Sequence, residues 1–202
     1  MTKLTSGASR RLTIEPADVP TRADDGAVDA ALIERWQRGE QSAATELVRR
    51  HAGALARFAA SSGEREQVDE LVQDTFVRAF NSLDTFRSDS SLRTWLFTIL
   101  RRLLLDRKRS EKRQKDRVEL EEGHALQEFN ALDSLVADET AERVRVAVDR
   151  LTPLQREVFV LRVTEGLAYG DIARTVGSSE GACRVHYHNA MRAVKGFLDD
   201  NA

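Results

Sequence analysis

From Val68 to Leu83 the side chains Val68, Leu71, Val72, Thr75, Phe76, Ala79, Phe80 and Leu83 recur at spacings of three and four without a break. That is the period of a helix with one buried stripe; a strand would throw the same residues onto opposite faces. Weaker stripes flank it. Ala31, Leu32 and Trp36 make a short one closed by Gly39, and Ala43, Leu47, Val48, Ala52, Leu55, Phe58 and Ala59 make a longer one ending around residues 61–63. A fourth carries Leu92, Trp95, Leu96, Ile99, Leu100 and Leu103. Four amphipathic helices joined by short connections predict one small helical domain over residues 27–112. Residues 1–26, rich in Thr, Ser, Ala and Asp and holding Pro16 and Pro20, show no helical period and are expected to form a flexible tail.

Beyond this domain the charge swings. Residues 101–117 hold nine Lys or Arg against three acids, whereas residues 118–142 hold eight acids and no Lys or Arg. Blocks of like charge seldom enter a core; they make solvated faces, linkers or interaction tails. The formal net charge of -2 therefore hides a basic patch and an acidic linker, expected over residues 113–137. A second helical unit is expected over 138–198. Val144, Val148 and Leu151 mark its first helix, Thr152 and Pro153 start the next, and Leu154, Val158, Phe159 and Leu161 continue it towards Gly166. With aromatics at only 6% and three prolines, nothing supports a strand, and the fold class is all-α.

Cys183 is the single cysteine, so the sequence offers neither an internal disulfide nor a cysteine-built zinc site. The four histidines, 51, 124, 186 and 188, are scattered, and His186 and His188, two apart, point to different helix faces. No phosphate-cradling glycine loop, metal-ligand cluster or nucleophile–base pair is supported by spacing, so neither a cofactor nor enzymatic catalysis is expected. No apolar run is long enough to cross a bilayer and no secretory leader is visible, so no direct membrane insertion is expected and the expected compartment is the cytoplasm.

Residues 166–192 read as a helix-turn-helix. A short helix turns Ile172, Ala173 and Val176 inward, Gly177 supplies a positive φ at the turn, and Ser179 can cap the next helix. That helix would bury Ala182, Cys183, Tyr187, Ala190 and Val194 and leave Glu180, Arg184, His188 and Asn189 outward on its front half. Arginine and asparagine are suited to bidentate readout of guanine and adenine, while Arg192 and Lys195 would lie nearer phosphates. An ordinary helical hairpin with a solvated face carries the same pattern.

Two passages distinguish these possibilities. Val68-Asp-Glu-Leu-Val-Gln-Asp-Thr-Phe-Val-Arg-Ala-Phe, followed by Phe86-Arg-Ser-Asp-Ser-Ser-Leu-Arg-Thr-Trp-Leu-Phe-Thr-Ile-Leu, resembles the second conserved region of extracytoplasmic-function sigma factors. Leu151-Thr-Pro-Leu-Gln-Arg-Glu-Val-Phe-Val-Leu-Arg, with the helix-turn-helix after it, resembles their fourth region. Order, spacing and acidic linker agree over about residues 27–198. The resemblance implies a sigma region 2 domain and a sigma region 4 domain that together direct RNA polymerase core to promoters.

It also implies partners and sites. Glu70, Gln73, Asp74 and Val77 lie off the apolar stripe and correspond to the surface that docks on the largest subunits of RNA polymerase core; taken alone they would pass for a solvated acidic face. Arg93, Trp95, Arg101, Arg102, Arg107 and Lys108 correspond to the element that opens and reads the −10 promoter sequence. Trp95 has a core reading by period and a strand-stacking reading by resemblance. Ser179, Glu180, Arg184, His188, Asn189 and Arg192 become the candidate −35 contacts. Promoter DNA and an anti-sigma factor are the further expected partners. Arg102 stands where many members have Asn, residues 178 and 179 replace a more apolar turn, and His188 and Asn189 occupy positions often basic or aromatic, which bears on the promoter sequence read. The alternative is a helix-turn-helix regulator with an N-terminal dimerisation or sensor domain.

Overall fold

Eight α-helices and one short 3-10 turn make up the described part of the chain. A computed structural model describes residues 23–64, 66–86, 89–118 and 139–200. The first four helices are α1 (Ala23–Gln37), α2 (Gln41–Ser61), α3 (Val68–Asn81) and α4 (Leu92–Val118), with the 3-10 turn Leu83–Thr85 between the last two. The second set is α5 (Glu139–Asp149), α6 (Pro153–Val163), α7 (Tyr169–Val176) and α8 (Glu180–Asp200). Strands are absent among the described residues. No helix among them is long and apolar enough to cross a membrane.

In the first set α2 touches each of the other three helices and α4 closes against α3. The stripe on α3 behaves as its period requires: Leu71, Thr75, Phe76 and Ala79 are buried, and the Thr75 hydroxyl is satisfied by donating to the Leu71 carbonyl at 2.7 Å. Phe58 of α2 and Phe97 of α4, both fully buried, meet edge to face with centroids 5.3 Å apart. Trp36 of α1 packs on Phe80 of α3 at 5.1 Å. α1 departs from the expected stripe, because Ala31 is exposed and Asp29 is buried instead. That acid accepts from Arg50 Nε at 2.9 Å and pairs with His51 Nε2 at 2.9 Å, stapling α1 to α2. Burial pushes the Asp29 carboxyl up, but His51 and Arg50 outweigh it and hold it below the usual carboxylate range.

Two boundaries differ from the sequence expectation. α1 begins at Ala23, within the stretch 1–26 expected as tail, and α4 continues to Val118, through the first residues of the expected linker 113–137. The basic block stays helical because Lys, Arg, Gln and Glu are good helix formers and its few acids are well spaced. Arg107 lies 3.8 Å from Glu111 and Arg109 lies 3.7 Å from Asp106. Most of the acidic stretch, residues 119–138, lies outside the described residues.

In the second set α8 is packed by α5, α6 and α7. Pro153 occupies the first turn of α6, and the Thr152 N–H donates to Gln155 Oε1 at 3.3 Å. Gly177 ends α7 with φ +67°, the left-handed conformation expected of it. Ser179 Oγ accepts from the Ala182 N–H at 3.2 Å and starts α8. The two sets are not separate bodies: α4 packs on α7, α2 on α6, and their buried apolar residues form one continuous cluster.

Candidate nucleic-acid interface

On α8 the buried residues Cys183, Ala190 and Val194 fix the inward side. The opposite side presents Gly181, Arg184, Val185, His188 and Arg192, all exposed and spaced by three or four. A Cβ on Gly181 would meet nothing within 4 Å, so the front of this face is open to close approach. Of the six expected −35 residues, Ser179, Glu180, Arg184, His188 and Arg192 are exposed, whereas Asn189 is half-buried at the rim. Ser179 is engaged as the cap of α8. Glu180 lies 3.3 Å from Arg184, and His188 Nε2 sits 2.9 Å from Arg192.

Arg184 also lies over the ring of Tyr169 at 4.9 Å, and Arg162 lies over the same ring at 5.0 Å. Tyr169 in turn meets Tyr187 edge to face at 6.1 Å. Burial pushes the Tyr187 hydroxyl pKa up, with Tyr169 adding to it and Arg162 opposing. Burial likewise raises the Cys183 thiol, helped by Glu180, so Cys183 stays a protonated small hydrophobe rather than a nucleophile. Val185, 58% exposed in the middle of this face, escaped the sequence reading, which sought hydrogen-bonding side chains. The signal was its spacing, four residues after Gly181 and three before His188. An apolar side chain there suits a thymine methyl.

The six residues expected at the −10 element divide into three places. Trp95 is half-buried, with Phe86 at 5.2 Å on one side, and Arg102, seven residues on, shares its side of α4 and is exposed. Arg107 and Lys108 lie near the second helix's end: Arg107 is 3.8 Å from Glu64 and 3.7 Å from Glu70, and Lys108 donates to the Ser62 carbonyl at 2.8 Å. Arg93 and Arg101 are half-buried and turned to the second helical set. Glu70, Gln73, Asp74 and Val77, by contrast, do share one face of α3. All four are exposed, Val77 at 50%.

The contact between the two sets is ionic at its edge. Glu165, whose side chain is 0% exposed, accepts from Arg57 Nε at 3.0 Å and Arg57 Nη2 at 3.2 Å, and also from Arg93 Nη2. Glu157 accepts from Arg101 Nε at 2.7 Å. Arg93 additionally lies over the Phe97 ring at 5.7 Å, and its buried Nε has no hydrogen-bond partner.

Comparison with known proteins gives this geometry a family. Sigma-70 region 2 matches residues 47–114 and Sigma-70, region 4 matches residues 141–194. The RNA polymerase sigma factor NccH of Alcaligenes xylosoxydans xylosoxydans is 34% identical over 193 residues, covering 88% of this chain and 98% of that protein. The ECF RNA polymerase sigma-E factor of Escherichia coli (strain K12) is 30% identical over 82% of this chain and 92% of its own. Among solved structures, the sigma factor RpoE in complex with the anti-sigma factor NepR from Bartonella quintana aligns with TM-score 0.66 and 25% identity, covering 77% of this chain and 96% of that one. CnrH in complex with the cytosolic domain of CnrY aligns with TM-score 0.62 and 31% identity, covering 87% and 99%. Both regions match in order along one chain, which disfavours the regulator with a sensor or dimerisation domain. The chain belongs to the extracytoplasmic-function sigma factors, which direct RNA polymerase core to promoters and initiate transcription.

Proposed function

We propose that the three exposed faces divide the work of this sigma factor. Glu70, Gln73, Asp74 and Val77 of α3 dock on the largest subunits of core polymerase. The α4 side bearing Trp95 and Arg102, joined by Arg93 and Arg101 once these are released, captures the opened −10 strand by stacking and phosphate contacts. The outward face of α8 reads the −35 duplex, with Arg184 offering two donors to one base edge. Arg107 and Lys108 extend the phosphate track along α4. The action is binding throughout, without a catalytic group. An anti-sigma factor holds the protein inactive, as the solved complexes of its relatives with NepR and CnrY suggest by analogy.

The observation that carries this reading is the α3 face. Its four residues contribute nothing to the core, yet they lie together and include a half-exposed valine beside two acids. The match of Sigma-70 region 2 over residues 47–114 supports reading this face as a docking surface rather than as solvated surface. The test is charge reversal, Glu70→Lys with Asp74→Lys, read by co-purification with core polymerase and by transcription from a promoter library. Helical content should be unchanged while association and transcription are lost. Normal polymerase binding by the double variant would refute the docking surface. Failure of the wild-type chain to drive transcription from any promoter in the library would refute the assignment of roles.

A further inference from the structure

Glu157 and Glu165 stand eight residues apart, and so do Arg93 and Arg101. The pairing runs antiparallel, Arg93 to Glu165 and Arg101 to Glu157, across sequence separations of 72 and 56 residues. Arg93 and Arg101 stand about 12 Å apart along α4, and Glu157 within α6 and Glu165 just past its end reach them as two rungs of one ladder. Arg57 of α2 adds a two-bond fork to Glu165 from a sequence distance of 108 residues.

We propose that this ladder is a latch: in the free chain Glu157 and Glu165 occupy in cis the arginines that hold the opened DNA strand in the working form, so that closure and strand capture exclude one another. The inference rests on the reading of Arg93 and Arg101 as strand ligands. Carboxylates and phosphates make the same charge-assisted bonds to a guanidinium, which allows one to stand in for the other. Glu165 is fully enclosed, a placement an acid tolerates only when paired, and its partners Arg57 and Arg93 both come from the other helical set. The latch also leaves the buried Nε of Arg93 without a partner, so the closed form under-uses the donor set of that arginine. Closure further packs α7, the first helix of the helix-turn-helix, on α4, the helix that carries the strand ligands. Release parts α7 from α4 and frees Arg93 and Arg101 in a single opening step, while the outward face of α8 is already exposed in the closed form.

The experiment uses the intact chain with Glu157→Gln and Glu165→Gln combined. Two quantities are read: the radius of gyration by solution X-ray scattering, and affinity for a labelled mixed-sequence single-stranded oligonucleotide. The double variant should keep its helical circular dichroism, expand, and bind the strand about tenfold more tightly, since apparent affinity scales with the fraction of open chains. Arg57→Glu approaches the latch from the other side, on a residue outside the proposed strand ligands, and should expand the chain likewise. Unchanged size in both variants would overturn the latch. Expansion without any gain in strand affinity would overturn the exclusion between closure and capture. Both readouts are independent of polymerase, so they stand apart from a failure of the docking reading.

Discussion

Replacing Asp29 by alanine removes the staple between α1 and α2, and its cost follows from what is left behind. The carboxylate is 6% exposed and holds Arg50 and His51 at 2.9 Å each. Hydrogen bonds to charged groups contribute about 1.5–3 kcal/mol apiece. Arg50 recovers part of its loss, because it keeps Asp25 at 2.8 Å and its side chain is 20% exposed. His51, at 7%, has no such outlet. The expected net loss is about 3 kcal/mol, towards the low end for breaking a buried pair. In a cooperative unit of this size that lowers the melting temperature by about 6–12 °C. The pH dependence supplies a second reading. The Asp29 carboxyl titrates below its ordinary value of 3.8, so its contribution is fully present above that value and lost as pH falls through the depressed one. Thermal melts of wild type and Asp29→Ala should therefore stay apart at neutral pH and converge in strong acid, as pH falls through the depressed value of Asp29. A gap below about 1 kcal/mol at neutral pH, or one that persists undiminished in strong acid, would refute the reasoning.

Two further outcomes concern the DNA faces. Arg184→Ala should cost about 1–3 kcal/mol of −35 binding and relax preference at one base pair, measured by affinity across single-substitution duplexes; a uniform loss with a shallower salt slope would make it a phosphate contact instead. Trp95→Phe should keep the fold and polymerase binding yet slow promoter opening, followed by permanganate reactivity of thymines; unchanged opening on both linear and pre-melted templates would leave Trp95 as packing alone.

Features set by neighbours three or four residues away were legible in the sequence. The α3 stripe, Pro153 in the first turn of α6, the left-handed Gly177 and the Ser179 cap are all such features, and each stands where expected. The outward face of α8 was legible for Arg184, His188 and Arg192 by the same logic. Asp29 was not, because an acid between Val28 and Ala30 looks solvated until a partner 22 residues later turns it inward. The division of the six −10 candidates was equally hidden. Their types and order along α4 are local, but whether an arginine faces water or Glu165 depends on how two helical sets pack. The reach of α4 was underestimated because a charge count ignores spacing: Arg107 and Glu111, four apart, support the helix that the net charge seemed to end.

The length of α4 also sets a geometric limit on what the two DNA readers can span. At about 1.5 Å per residue its 27 residues extend about 40 Å, and its buried side chains stop at Leu104 among those described. The remaining turns carry the chain about 20 Å past the core before residues 119–138 begin. Those 20 residues cover at most about 70 Å of contour, the rise of about 20 stacked base pairs. If the two sets part as proposed, the same covalent tether that lets α7 close on α4 would work as a ruler, limiting from within the chain how far apart two promoter elements can lie and still be held by one molecule.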